Sequence, residues 1–308
     1  MTKTTAQNSK KQAWIAAMRL RTLPLALACI VLGSFLAAAE SLFRWPVTIL
    51  CIVTAVFLQI LSNLANDYGD SVHGADHVER AGPKRAVQSG QITSDEMKRA
   101  MLIFALLSAV SGLSLVIIAF GFDALPLVLL FLVLGAASIW AAVNYTAGKN
   151  PYGYAGFGDI FVLIFFGWVG VLGTYFLQAQ TIHWSLFLPA TAAGFMAVAV
   201  LNVNNIRDIE SDEKAGKLSI PVRLGAYRAR IYHWTLLTVA FLVAGTYVIV
   251  TYQSPWQFLF VLSLPLIVRH ATAVTKTYDP LALNPLLKQM VITALVFDIL
   301  LGLGQMIG

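Results

Sequence analysis

The sequence predicts an all-α, polytopic membrane protein, a bundle of nine transmembrane helices. Three observations predict it. Charged residues make up 12% of the 308 residues and hydrophobic ones 58%, whereas soluble domains carry about 25% charged residues. Several apolar runs reach the ~20 residues that a helix needs to cross a ~30 Å hydrocarbon core. The basic residues, finally, are arranged on one side. If the runs alternate across a membrane, every Lys and Arg except Arg44 falls in the N-terminal segment or in the loops of one face and their flanks. That is the pattern of cytoplasmic loops.

The spans are read in order at 22–40, 46–66, 100–120, 124–144, 158–178, 184–206, 231–251, 256–272 and 287–307. Each run is continuously apolar, which disfavours the alternating strands of a β-barrel. Pro24, Gly167, Gly170, Gly173 and Pro265 fall inside spans, where such residues mark kinks or close helix contacts. Residues 1–21 form the N-terminal segment, whose first 13 residues are polar and lack a short apolar region with a cleavage site, so no removable signal peptide is expected. Residues 22–308 make one transmembrane domain. Cys29 and Cys51 both lie within spans and imply neither a disulfide framework nor a zinc site. The formal net charge of +6 is a topology signal. No basic cluster interleaved with aromatics on a soluble module points to nucleic acid.

Two polar loops, 67–99 and 207–230, lie on the basic face, and each opens on a cluster of acids and amides. In "NLANDYGD", Asn63, Asn66, Asp67 and Asp70 are spaced i, i+3, i+4, i+7, one face of a helix that continues past the membrane edge. In "LNVNNIRDIESD", Asn205, Asp208 and Asp212 are spaced i, i+3, i+7. Carboxylates gathered at the edge of a low-dielectric slab repel one another unless a cation sits between them. Hard Asp and Asn oxygens suit Mg²⁺, which takes one or two carboxylates and completes its shell with water and substrate phosphate. The plain alternative, acids marking the membrane boundary, is weakened by two clusters of matched spacing on one face. Bases follow each cluster, Arg80, Lys84 and Arg85 after the first and Lys217 and Arg223 after the second. Acids with nearby bases beside an apolar interior describe a site for a diphosphate on a lipid tail.

The strings "LSNLANDYGD", "YTAGKNPYGYAGFGD" and "LNVNNIRDIESDEKAGKLSIPVRLG" resemble the UbiA superfamily of intramembrane prenyltransferases, in the branch that acts on 1,4-dihydroxy-2-naphthoate in menaquinone synthesis. The resemblance runs from about Arg19 to the end of the chain. It implies a nine-helix bundle with a central cavity, and Mg²⁺ that binds the diphosphate of a polyprenyl donor. Asn66, Asp67 and Asp70 match the first motif, Asp208 and Asp212 the second. The superfamily often carries another Asp where this chain has Gly74, and Asp76 is the nearest substitute. The implied partners are polyprenyl diphosphate, 1,4-dihydroxy-2-naphthoate and membrane lipid, and the implied location is a bacterial inner membrane with a cytoplasmic site. The reaction needs an allylic cation shielded from water, for which Tyr145 and Tyr152 offer π-faces. Lys149 is a candidate for the donor diphosphate or the naphthoate carboxylate. Asp159 is a candidate to orient the acceptor or to serve only as a helix-start acid. His73 and His77 read as a solvated pair, and Asp298 as a neutral acid bonded to a neighbouring helix.

Rival readings are a secondary transporter, whose ion site would lie nearer the midplane, and phosphatidyl transfer from a CDP-alcohol, whose "DG…AR…G…D…D" string is absent. Within the superfamily, 4-hydroxybenzoate or haem acceptors remain open. "PYGYAGFGD" favours the naphthoate.

Overall fold

The computed structural model describes residues 3–73 and 85–308, with side chains from Lys10 onward. Every regular element among them is helical. Nine helical stretches are long and apolar enough to cross a membrane: Lys10–Ala39, Trp45–Val72, Ser94–Phe120, Leu125–Asn144, Gly158–Ala179, Trp184–Arg207, Ile220–Val250, Pro255–Lys276 and Leu283–Ile307. They match the nine expected spans one for one. They run longer than expected, and mostly at the charged end: the second continues to Val72, the third starts at Ser94 and the seventh at Ile220. Hydropathy finds the buried-in-lipid portion of a helix. The extra turns are polar, and that of the second span carries Asp67 and Asp70 beyond its apolar run.

The first span breaks at Arg19–Thr22. Arg19 takes a left-handed conformation (φ 47°, ψ 53°), and a 3₁₀ turn at Leu20–Thr22 leads into the helix Leu23–Ala39. Before the break, Ala13 and Ala17 pack on Ile60, Leu64, Ala86, Ile92 and Met97. The N-terminal helix is thereby held against the second span and the segment that follows Arg85. The third span starts on a capping box, in which Thr93 accepts from Glu96 N–H while Glu96 returns the bond to Thr93 N–H.

The sixth span is the centre of the bundle, with 72% of its most apolar window buried. The fourth is its perimeter, with 6%. The cause is legible in side-chain size. "FLPATAAGFMAVAV" lets neighbours approach closely, and small residues drive helix association where lipid offers no hydrophobic gain. Against it lies the fifth span, whose segment Leu163–Leu172 is π-helical, a form uncommon beyond a single turn and concentrated at functional sites. The seventh span is kinked at Gly225, where φ is 75°.

Gly69, one turn before the end of the second span, sets where the fourth and second spans meet. A Cβ there would stand 2.4 Å from the Thr146 carbonyl group and 2.6 Å from Ala147 N. Those are backbone atoms that cannot yield. Gly69→Ala is therefore expected to destabilise the fold by ~1–3 kcal/mol, seen as a lowered thermal midpoint of the detergent-solubilised protein.

Candidate functional site

The second span stays helical to Val72, so Asn63, Asn66, Asp67 and Asp70 share one face as the spacing requires, and Asn63, Asp67 and Asp70 are each 3% exposed. Their roles differ. Asn63 Nδ2 donates to the Met18 carbonyl (2.9 Å) and to Thr22 Oγ1 (3.0 Å). It thereby fastens the turn that carries Arg19 and Arg21. Asn66 Oδ1 accepts from Thr146 Oγ1 at 2.9 Å. The two Asp67 oxygens accept the backbone N–H groups of Ala86 and Val87, each at 3.1 Å. Asp70 accepts from Tyr154 Oη at 3.1 Å and is ion-paired with Arg85, whose other end reaches the Asn66 carbonyl at 2.5 Å.

The second cluster departs from the expected continuous helix. The sixth span ends at Arg207, Asp208 sits at φ −97°, ψ 10°, and a short helix follows over Ile209–Lys214. Even so, Asp212 N–H bonds to Asp208 O at 2.8 Å, and Asn205, Asp208 and Asp212 are all buried. Asp208 is held end-on by Arg207, Nε to Oδ1 at 2.8 Å and Nη2 to Oδ2 at 2.7 Å. Arg207 also reaches Asn204 and Asn284. Asp212 pairs with Lys217, Nζ to Oδ1 at 3.2 Å.

Lys217 joins the two clusters. Its ammonium stands 6.0 Å from the centre of the Tyr154 ring, whose hydroxyl bonds Asp70. Burial opposes its charge, yet Asp212, Tyr145, Asp70 and Asp208 together hold its pKa above the ordinary range. Burial pushes Asp212 up to about 6, against the pull of Lys217 and with Asp208 and Asp70 adding to the rise. Two loops keep Lys217 in place. Leu218 N–H bonds to Tyr154 O at 2.9 Å, and Arg223 bridges Ala155 O (2.7 Å) and Leu218 O (3.0 Å).

Beneath these charges lies a cavity of about 560 Å³. Among the described residues its charged lining comprises Arg19, Arg21, Arg85, Arg207 and Lys217 with only two carboxylates, Asp67 and Asp70. An excess of cations in a partly dry site is an anion site. The rest of the lining is apolar or aromatic. Tyr145 and Tyr152 both face it, 5.4 Å apart, and Tyr152 stacks on Phe161 at 3.9 Å. Burial pushes the Tyr145 phenol up to about 12, so it stays neutral.

The structure thus gathers Asn63, Asn66, Asp67, Asp70, Arg85, Tyr145, Tyr152 and Lys217 on the cavity. Asn205, Asp208 and Asp212 lie behind Arg207 and Lys217, outside the lining. Lys149 is exposed on the turn and also lies outside it, and Arg223 is an exposed clamp between loops. Asp159 accepts from Tyr232 Oη at 2.8 Å and likewise does not line the cavity. His73 bonds back to Gly69 O at 2.9 Å and closes the helix. Asp298 is buried, with no hydrogen-bond partner at Oδ1. Asp76, His77, Arg80 and Lys84 lie outside the described residues. The sequence reading missed Tyr154, Arg207, Asn204 and Thr146, and counted Arg19 and Arg21 only toward topology. Arg207 had a usable signal, being adjacent to Asp208.

A charged mouth above an apolar, aromatic chamber inside a helical membrane bundle is the build of a membrane protein that handles an anionic lipid. The match to the UbiA prenyltransferase family covers residues 26–293, and the chain belongs to that family. It is 48% identical over 301 residues, 98% of this chain and 97% of the relative, to the 1,4-dihydroxy-2-naphthoate octaprenyltransferase of Escherichia coli (strain K12). A UbiA homolog from Aeropyrum pernix K1 shares the fold with TM-score 0.69 at 17% identity, covering 94% of this chain and 98% of that one. A UbiA homolog from Archaeoglobus fulgidus, solved with GPP and Mg²⁺, does so with TM-score 0.62 at 15% identity, covering 96% and 100%.

Proposed function

We propose that the protein transfers a polyprenyl group from polyprenyl diphosphate to 1,4-dihydroxy-2-naphthoate, with loss of diphosphate and CO₂, giving the hydroquinone form of demethylmenaquinone. The observation that carries this reading is the cation-rich mouth set directly on an apolar chamber, together with the naphthoate octaprenyltransferase at 48% identity.

The donor diphosphate is held by Arg85, Lys217 and Arg207, whose charges favour its departure with the electron pair of the broken allylic C–O bond. The faces of Tyr145 and Tyr152 border the cationic fragment. The apolar lining keeps water from it. The electron-rich ring attacks through carbon, and its carboxylate leaves as CO₂. No protein nucleophile is required.

Among the described residues no three Asp, Glu, His or Cys stand together as a finished metal cage. The donor set nevertheless fits Mg²⁺. It is built from hard oxygens, and one of them, Asp212 Oδ2, is buried without a hydrogen-bond donor, as is the neighbouring Asn205 Oδ1. Asp212 Oδ2 does lie 3.2 Å from Lys217 Nζ, a charge contact without hydrogen-bond alignment. Asn66, Asp67, Asp70, Asp208 and Asp212 would hold the ion, which supplies positive charge to the leaving diphosphate when bound. The positive-inside pattern supports a cytoplasmic mouth, and the bacterial relative supports a bacterial plasma membrane as its location.

The direct test is to incubate membranes with Mg²⁺, a polyprenyl diphosphate and alternative aromatic acids, and to identify products by mass. Prenylated, decarboxylated naphthoate is expected. Exclusive use of 4-hydroxybenzoate, or ion flux with no diphosphate release, would overturn the reading. Arg21, on the turn that Asn63 fastens, is the natural partner for the acceptor carboxylate. Arg21→Ala is expected to raise KM for the naphthoate on the order of tenfold, the loss of one charge-assisted contact, with KM for the donor unchanged.

A further inference from the structure

Two opposite charges at the mouth stand near one another without pairing. Burial opposes the charge on Lys217 and Asp212 is its main support, but Asp70 also acts to keep it protonated. Among the described residues, however, Lys217 pairs with Asp212 at 3.2 Å, and Asp70 pairs with Arg85. Opposite charges at the edge of a low-dielectric interior attract strongly, and a lysine stem is long and flexible. With nothing in the way, Lys217 would close on Asp70. That pair would occupy a carboxylate suited to the metal and a cation suited to the diphosphate.

Tyr154 touches both groups. Its Oη donates to Asp70 Oδ1 at 3.1 Å, and its ring centre lies 6.0 Å from Lys217 Nζ. A phenol gives the carboxylate a donor without cancelling its charge, which an ammonium would do. The ring is held in place. His73, itself bonded to Gly69 O, lies against it with ring centres 5.4 Å apart. The backbone is fixed as well: Tyr154 N–H donates to Pro151 O at 3.0 Å, and its carbonyl accepts from Leu218 N–H at 2.9 Å. Two residues on, Gly156 has φ 84°, and a Cβ there would stand 2.5 Å from Leu218 O and 2.9 Å from Arg223 Nη2. The turn reaches the Leu218 loop because this residue is glycine. Tyr154 itself lies outside the cavity lining, so it acts through its neighbours and not on a substrate.

We infer that Tyr154 is a positioning residue, an insulating strut that keeps Asp70 and Lys217 apart, so that one stays open to the divalent ion and the other to the diphosphate. The inference rests on the prenyl-transfer reading above and adds the residue that stops its two charged halves from neutralising each other.

The test reads ion binding directly and uses no prenyl donor. Mn²⁺, standing in for Mg²⁺, is titrated into the detergent-solubilised protein, and the free ion is followed by electron paramagnetic resonance. Tyr154→Phe keeps the ring and drops the hydroxyl. It should weaken Mn²⁺ binding about tenfold, the loss of one group that orients a ligand. Tyr154→Ala removes the spacer too, and should weaken binding on the order of 100-fold. Unchanged affinity in Tyr154→Phe, or equal losses in the two variants, would overturn the inference, as would an unmodified chain that binds no Mn²⁺. A second measurement follows the lysine. A carbodiimide joins a carboxylate to an amine in contact with it, with loss of water. Peptide masses should show a Lys217–Asp70 amide in Tyr154→Ala, and none in Tyr154→Phe or the unmodified chain. Absence of that link in Tyr154→Ala, or its presence in the unmodified chain, would overturn the strut. An unmodified protein that binds Mn²⁺ but does not prenylate the naphthoate refutes the proposed reaction, while both measurements still test Tyr154.

Discussion

Asp70→Asn is expected to reduce kcat on the order of 10³-fold while the protein still inserts and folds. The change keeps the shape of the side chain and removes only its charge. Among the described residues Asp70 is the one carboxylate on the cavity that touches both an arginine and a phenol, Arg85 and Tyr154. Neutralising it leaves Arg85 buried without its counter-charge and takes a hard anionic oxygen from the set that would hold Mg²⁺. Loss of one preorganised electrostatic contact typically costs ~10²–10³ in rate, and here two effects fall on one residue. Steady-state kinetics across a Mg²⁺ titration checks it. A variant with wild-type turnover and an unchanged Mg²⁺ requirement would remove Asp70 from the site.

Lys217→Met should lose turnover by a comparable ~10²–10³-fold, and it should also unfold more easily. The buried Asp212 carboxylate would be left facing Asp208 and Asp70 with its compensating charge gone. Removal of one member of a buried pair costs about 3–5 kcal/mol. The double variant Lys217→Met with Asp212→Asn separates the two roles. It removes the orphaned charge, so the thermal midpoint should recover toward that of the unmodified chain, while turnover stays low because the diphosphate still lacks its ammonium. Recovery of both would make Lys217 a structural residue only.

The nine spans were legible because each is a continuous apolar run, and the membrane imposes a length on such runs. The first acid cluster was legible because its helix continues unbroken, so spacing in sequence becomes direction in space. The second was read less well. Asp208 ends one helix and precedes another, a boundary without a Gly or Pro to announce it. Tyr154 was passed over in favour of Tyr152 because the two are indistinguishable as letters. The bond from Leu218 to the Tyr154 carbonyl and the Arg223 clamp on Ala155, between loops far apart in the chain, bring Tyr154 to Lys217. Lys149 and Arg223 attracted attention as bases, but a charge in a loop says nothing about which way it points. The π-helical turn of the fifth span is silent in sequence, since an all-apolar run gives no phase from which to count residues per turn.

The charged end is assembled from pieces contributed by distant parts of the chain, near residues 67–70, 85, 154 and 207–217. The first of these pieces brings Asp70, whose counter-charge Arg85 arrives with a later segment, whereas Asp208 and Asp212 meet Arg207 and Lys217 within their own piece. A polypeptide halted before residue 85 would therefore keep Asp70 without the Arg85 charge, and that end would be prone to reopen. In this protein the pair that prepares the site, Asp70 with Arg85, thus also reports that two separate segments have docked, and the last helix joins them through the hydrogen bond from Arg207 to Asn284.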